Sequence, residues 1–193
     1  MLARVPTSRQ ALLHLGMIAA QLGDRTAATA HYLTLIQHEP DFMDTYVELA
    51  NLHEREGDLG AAAQALTRAL ERVPSWAPGY LWRGKIYRKQ RNGTLAEKDF
   101  RSAIQLAPDV PFPKDALASL LASENRELAE ALALAETAVK SDAQPGHRAT
   151  LALVYYRLNH IAEARREIEI AFTENPKHPY VLKIRAEILK SEP

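Results

Sequence analysis

The side chains that could do chemistry are few and scattered. Seven histidines and no cysteine stand among 193 residues, which excludes thiolate nucleophiles, disulfides and cysteine metal sites. His53-Glu54-Arg55-Glu56 begins like the H-E-x-x-H zinc helix but lacks the second histidine. His31 and His38 are seven residues apart and can share a helix face, yet no third ligand accompanies them. There is no phosphate-cradling glycine loop, no G-x-S-x-G nucleophile turn and no dinucleotide fingerprint. The sequence therefore offers no catalytic residue, no metal site and no cofactor site, and it is read as a non-enzyme. Its one concentration of charge is basic: Arg83, Lys85, Arg88, Lys89 and Arg91 crowd a single short stretch. Such a cluster is either a docking patch for an acidic segment or a solvated face.

Bulk composition narrows the partners. Lysine plus arginine equals aspartate plus glutamate, 24 against 24, so no global field draws the chain to nucleic acid or to an anionic membrane. No apolar run approaches the roughly 20 residues that cross a bilayer, and MLARVPTSRQ lacks the apolar core of a signal peptide. A soluble chain, cytoplasmic or periplasmic, is expected.

The elements that position these side chains follow from a period. Prolines fall at 6, 40, 74, 108 and 176, separated by 34 residues or twice that. Gly16, Ala50, Gly84, Ala118, Ala152 and Ala186 recur at the same interval, as do Ala19, His53, Tyr87, Leu121, Tyr155 and Leu189. A second small slot holds Ala28, Ala62, Ala96 and Ala164, with Glu130 a misfit, and a large slot holds Tyr32, Leu66, Phe100, Leu134 and Ile168. Small residues where two helices approach, and large ones where the gap must be filled, describe a stack of helix pairs. Within 77–110 the residues Tyr80, Arg83, Gly84, Tyr87, Ala96, Phe100 and Pro108 match the W-x-x-L-G-x-x-Y…A-x-x-x-F…P pattern, with Tyr80 for tryptophan and Arg83 departing from leucine. The whole chain thus resembles the tetratricopeptide repeat (TPR) family. The resemblance implies an all-α, right-handed superhelical solenoid of five helix-turn-helix repeats plus a C-terminal capping helix.

The period places the repeats at about 9–42, 43–76, 77–110, 111–144 and 145–178, as one solenoid, with a capping helix over 179–191. Gly23-Asp24, Gly57-Asp58 and Asn92-Gly93 are the expected turns, and Ser8 the first cap. MLARVP repeats ALERVP of 69–74 at Leu2, Arg4, Val5 and Pro6, so residues 1–6 read as the remnant of a preceding repeat. The helix after them carries Leu12, Leu13, Leu15, Met17 and Ile18 with few polar residues, and expects a cover. Repeat 4 is irregular. Pro111 and Pro113 are expected to delay its first helix to Lys114–Ala122, and Ala131, Ala135 and Ala138 sit one position late. An insertion near Ser123-Glu124-Asn125, a compensating deletion, and a bend or shorter helix pair are expected there. In the last helix Leu182, Ala186 and Leu189 are expected to face inward, with Lys183, Arg185, Glu187 and Lys190 outward.

In the TPR family the first helices line a concave groove. By resemblance the groove here holds Leu13, Met17, Val47, Asn51, Glu54, Leu81, Lys85, Arg88 and Lys89, and further on Leu153 and Tyr156. Asp115, Ala149, Ser119, Ala20 and Ala122 complete the same three series. Trp82 is expected to pack between repeats and offset Arg83, with a platform for a ligand as the alternative. The clamp by which some TPR co-chaperones hold a C-terminal carboxylate is not met, because Leu13 and Met17 stand beside Asn51 and Lys85. The implied function is a non-catalytic scaffold for a protein or peptide segment carrying an acidic residue, within a larger TPR protein. The run 117–189 is similar in texture to bacterial multi-TPR proteins, including those of exopolysaccharide synthesis and export. The alternatives are a structural array that forms homo-oligomers through its N-terminal helix, and a helical-repeat RNA binder, which the balanced charge and the period of 34 disfavour.

Overall fold

The structure is a computed structural model that describes residues 8–190; the remnant expected at 1–6 lies outside the described residues. Eleven α-helices and no strand occur among them: α1 (Arg9–Gln21), α2 (Arg25–His38), α3 (Met43–Arg55), α4 (Leu59–Arg72), α5 (Ala77–Lys89), α6 (Gly93–Leu106), α7 (Pro111–Ser123), α8 (Leu128–Ser141), α9 (Pro145–Arg157), α10 (Ile161–Glu174) and α11 (Pro179–Lys190). The fold is all-α.

A single backbone device ends each odd-numbered helix through α9. Residues 23, 57, 91, 125 and 159 all have positive φ: Gly23 at 80°, Gly57 at 81°, Arg91 at 60°, Asn125 at 53° and Asn159 at 63°. The amide of the next residue reaches back to the helix, as in Asp24 N–H to Ala19 O (2.9 Å), Asn92 N–H to Tyr87 O (2.9 Å) and His160 N–H to Tyr155 O (2.9 Å). This left-handed closure satisfies carbonyls the helix would leave orphaned. The following helix is capped at once: Asp24 accepts from Ala27 N–H at 2.9 Å, Asp58 from Ala61 N–H at 2.8 Å and Asn92 from Leu95 N–H at 3.1 Å. The bend expected at Asn92-Gly93 therefore falls on Arg91, with Asn92 as the cap. Ser8 stands at the N-cap of α1, but its side chain makes no capping bond.

The chain forms two compact units, Met1–Ala96 and Glu97–Pro193. In the first, α1 packs on α2 and α3 on α4, while α1, α3 and α5 also pack in a row. The small and large slots meet here directly. A Cβ on Gly16 would lie 2.4 Å from Tyr32 Cε1, and Tyr32 is buried to 1% exposure, its hydroxyl pKa pushed up to about 12 chiefly by that burial and next by Glu48. Arg83, in the leucine slot, lies 5.6 Å from the Tyr80 ring centroid and 5.7 Å from that of Tyr87. It also donates to Thr67 Oγ1 at 3.0 Å. Two aromatic faces and a hydroxyl thus make a half-buried site acceptable for a guanidinium.

In the second unit α7 packs on α8 and α9, α9 on α8, α10 and α11, and α10 on α11. Helix α7 begins at Pro111, not Lys114, because proline at the first helical position lacks only an N–H that would be orphaned there anyway. The pair α7–α8 is not shortened: its helices have 13 and 14 residues, as do α9 and α10. The slip lies in the connections. The turn 124–127 has one residue more than its counterparts and carries a second positive φ at Glu127 (47°), while 142–144 has one fewer. Ala131, Ala135 and Ala138 consequently take the buried slots at 0% exposure, and Leu134 is only half-buried. A further correction concerns α11: Val181, Ile184 and Ile188 are the buried residues, whereas Leu182 and Leu189 are 44% and 37% exposed.

An ion network ties α6 to α8 within this unit. Arg101 reaches Glu97 at 2.9 Å and Glu130 at 2.5 Å, and Arg126 reaches Glu97 at 2.9 Å and Glu124 at 2.7 Å. Hydrogen bonds from Arg126 to Glu97, and from Arg101 to Glu130, hold both carboxyls below their ordinary 4.5.

The turn and the network can each be tested by one substitution. A left-handed non-glycine residue costs roughly 1–2 kcal/mol, part of which glycine's larger unfolded-state entropy offsets. Arg91→Gly is therefore expected to stabilise by roughly 0.5–1 kcal/mol, read as a higher urea midpoint with an unchanged slope. A carboxyl whose pKa falls on folding contributes stability above its unfolded pKa and loses it as pH drops through the folded value. Glu97→Gln should thus lower the melting temperature at about pH 7, by a deficit that shrinks progressively as the pH falls below about 4.5; a deficit independent of pH would mean that the network acts only through packing.

Candidate functional site

The first helices of the first unit present a small cleft. Its lining is Val47, Ala50, Asn51 and Glu54 from α3, Leu66 from α4, and Trp82 and Ile86 from α5. The floor is apolar because Ala50, Leu66 and Ile86 belong to the buried cluster of this unit, at 3%, 1% and 3% exposure. The rim is polar because 51 and 54 lie one turn apart on the same face of α3. Trp82 packs between the repeats, against Val47, Ala50 and Leu66 of the preceding pair, without being enclosed. It is 38% exposed, and Lys85 Nζ lies 4.8 Å from the centroid of its ring, one turn further along α5.

The other expected groove residues divide. Lys89 is ion-paired with Glu54, so two of the expected positions neutralise each other across α3 and α5. Arg88 is exposed in the last turn of α5. Leu13, Met17 and Leu81 are half-buried and do not line the cleft; Leu13 and Val47 pack against the same buried cluster. In the second unit Leu153 is 2% exposed. It offers a ligand no surface, because Leu151 to Val154 are all buried in a helix that touches four others. Ala149 and Ala122 are buried as well, at 0%. Tyr156 is half-buried, with the Arg157 guanidinium 5.4 Å from its ring centroid. Ser119 Oγ lies 3.0 Å from the Tyr180 hydroxyl, and Thr150 Oγ1 donates to that hydroxyl at 3.5 Å.

A larger and more open cleft is lined by Arg9, Glu39, Pro40, Asp41 and Phe42, where Arg9 pairs with Glu39 and lies 4.8 Å from the Phe42 ring centroid. Among the described residues no three histidine, aspartate or glutamate side chains converge as metal ligands. No helix among them is long and apolar enough to cross a membrane. His53 Nδ1 faces Glu56 at 3.5 Å, one turn away on the same helix.

Two family models, each described as tetratricopeptide repeat, match residues 10–41 and 47–111. A curated relative, UDP-N-acetylglucosamine–peptide N-acetylglucosaminyltransferase of Giardia intestinalis, is 27% identical over 99 residues; the match covers 51% of this chain but only 7% of that protein. Among solved structures, a thermophilic TPR protein of Thermus thermophilus superposes with a TM-score of 0.70 at 21% identity, covering 95% of this chain and 98% of that one. YrrB, described as a TPR protein with an unusual peptide-binding site, superposes with a TM-score of 0.66 at 16% identity over 91% of this chain and 90% of its own.

Proposed function

Because the chain is a tetratricopeptide-repeat protein, we propose that it is a non-catalytic scaffold that holds a segment of a protein partner in the cleft between α3 and α5. The observation that carries this reading is the composition of that cleft. An apolar floor is edged by an exposed tryptophan, an amide at Asn51 and the Glu54–Lys89 pair. Floor and rim together suit a peptide that lays one apolar side chain across the floor, against Trp82, and leaves its backbone at the amide. Lys85, against the Trp82 ring, and Arg88 beyond it favour an acidic residue next to the buried one. A structure of similar fold carries a peptide-binding site by its own description, which supports the class of ligand.

The test is an array of immobilised peptides in which one apolar and one acidic residue are placed at varied spacing. Peptides that bind should do so at least tenfold more weakly to Trp82→Ala. Changing Lys85 and Arg88 together to glutamate should slow association mostly at low salt, with unchanged helical circular dichroism. Affinity indifferent to both variants would remove this cleft from the account.

A second reading, self-association through α1, is favoured by Ile18 at 51% and Leu22 at 80% exposure. It predicts a concentration-dependent sedimentation coefficient that Ile18→Lys with Leu22→Lys abolishes. A double variant that sediments as the wild type at every concentration would dismiss it.

A further inference from the structure

The cleft between α3 and α5 has cations around it and a carboxylate in its wall. Among the described residues that line it, only Glu54 is charged; Lys85, Arg88 and Lys89 all lie outside the lining. Glu54 stands in the last turn of α3 and Lys89 in the last turn of α5. They pair across the two helices, the Lys89 ammonium donating to one carboxylate oxygen, Oε1. The two side chains differ in freedom. That of Glu54 is 29% exposed and that of Lys89 53%, so the carboxylate belongs to the cleft wall while the ammonium reaches it from solvent.

Resting on the reading of this cleft as a peptide site, we propose that the partner segment carries an arginine that takes Glu54 over from Lys89. A segment laid across Ala50, Leu66 and Ile86 meets the Glu54 carboxylate as the formal charge of the lining. A partner carboxylate placed there would repel it. An apolar residue would strip its water without replacing the lost hydrogen bonds. A guanidinium meets both requirements, because its planar fork pairs with both oxygens of a carboxylate, whereas an ammonium acts as a point charge. The exchange costs little, since a pair with an exposed lysine contributes little and the released ammonium returns to water.

The place of the arginine in the segment follows from the helices. Lys85, against the Trp82 ring, precedes Lys89 by about one turn of α5, roughly 5.4 Å along the axis. Glu54, paired with Lys89, therefore lies about one turn beyond Lys85, on the facing wall. An extended chain advances roughly 3.3 Å per residue, so the acid that meets Lys85 and the arginine that meets Glu54 are about one or two residues apart. Read from Trp82 toward the ends of the two helices, the cleft recognises an apolar residue, an acid and an arginine in that order.

Fluorescein-labelled peptides test this by anisotropy. The probes carry leucine-aspartate-alanine-arginine, or the reverse order, between serines, and matched versions have alanine, lysine or glutamate in place of the arginine. In one of the two orders the arginine probe should bind the wild type roughly fivefold more tightly than the alanine probe, with lysine between them and glutamate weakest. Glu54→Gln should bind the arginine and alanine probes alike. Glu54→Lys combined with Lys89→Glu keeps the pair and the net charge. At these partly exposed last-turn positions it should also keep the helical circular dichroism, yet turn the preference from arginine to glutamate. An arginine preference that survives in either variant would assign it to the field of the whole chain and overturn the proposal. Probes that bind the wild type through Trp82, losing affinity in Trp82→Ala, but show no preference for arginine would overturn this inference and leave the peptide cleft standing. Absence of any Trp82-dependent binding would overturn both.

Discussion

The constraint on which the helix pairs depend is the left-handed residue that closes each first helix. Reversing a helix within three residues needs one backbone step that a right-handed chain cannot take. That step falls at residues 23, 57, 91, 125 and 159. Once it is taken, the next residue returns its amide to the first helix and caps or opens the second. The small slot of one helix is then delivered under the large slot of the other, as Gly16 is under Tyr32. Glycine accepts this conformation without strain at two of the five sites. Arginine and asparagine occupy the other three, which shows how strongly the surrounding pair over-determines the turn.

The same constraint explains what could be read from residue types and what could not. The glycines at 23 and 57, each followed by an aspartate cap, identify their turns openly. Asn125 and Asn159 are weaker signs, and Arg91 is none, because nothing in an arginine side chain indicates a left-handed backbone. Only its place in the period does. The displaced alanines of α8 were legible for the opposite reason. A slip of one residue in a helix moves the small stripe bodily, so Ala131, Ala135 and Ala138 record the extra turn residue. The prolines at 111 and 113 misled, since a proline that would break a helix interior is well suited to its first turn. The inward face of α11 was misassigned because a period describes an interior: the face Leu182 shares with four earlier helices is inward only where a second helix lies over it.

The groove was legible by position and less so by chemistry. The family frame put Val47, Asn51 and Glu54 on one helix face, and they line one cleft. It could not tell that Glu54 and Lys89, on different helices, would pair with each other. Nor could it tell that Leu153 would be enclosed on every side. Trp82 packs between the repeats as its position implied, and it also stands three residues before Lys85. That spacing puts both on one helical face and was the signal available for finding the Trp82–Lys85 pair.

Several arginines are paired with carboxylates of the same chain, which bears on what a partner can recognise. Arg101 and Arg126 share Glu97, Arg148 holds Glu167, Arg157 holds Glu187 and Arg185 holds Glu169. A carboxylate approaching Lys89 must compete with Glu54, already in place. Lys85 lies along the Trp82 ring, so an apolar side chain set against Trp82 would bring its neighbours within one turn of that ammonium. Exposed ion pairs alone contribute little, about 0–1 kcal/mol. A charge that arrives together with buried apolar area gains from desolvation of both. If the proposed cleft is the binding site, discrimination there would rest on the order of an apolar and an acidic residue in the partner, more than on the partner's net charge.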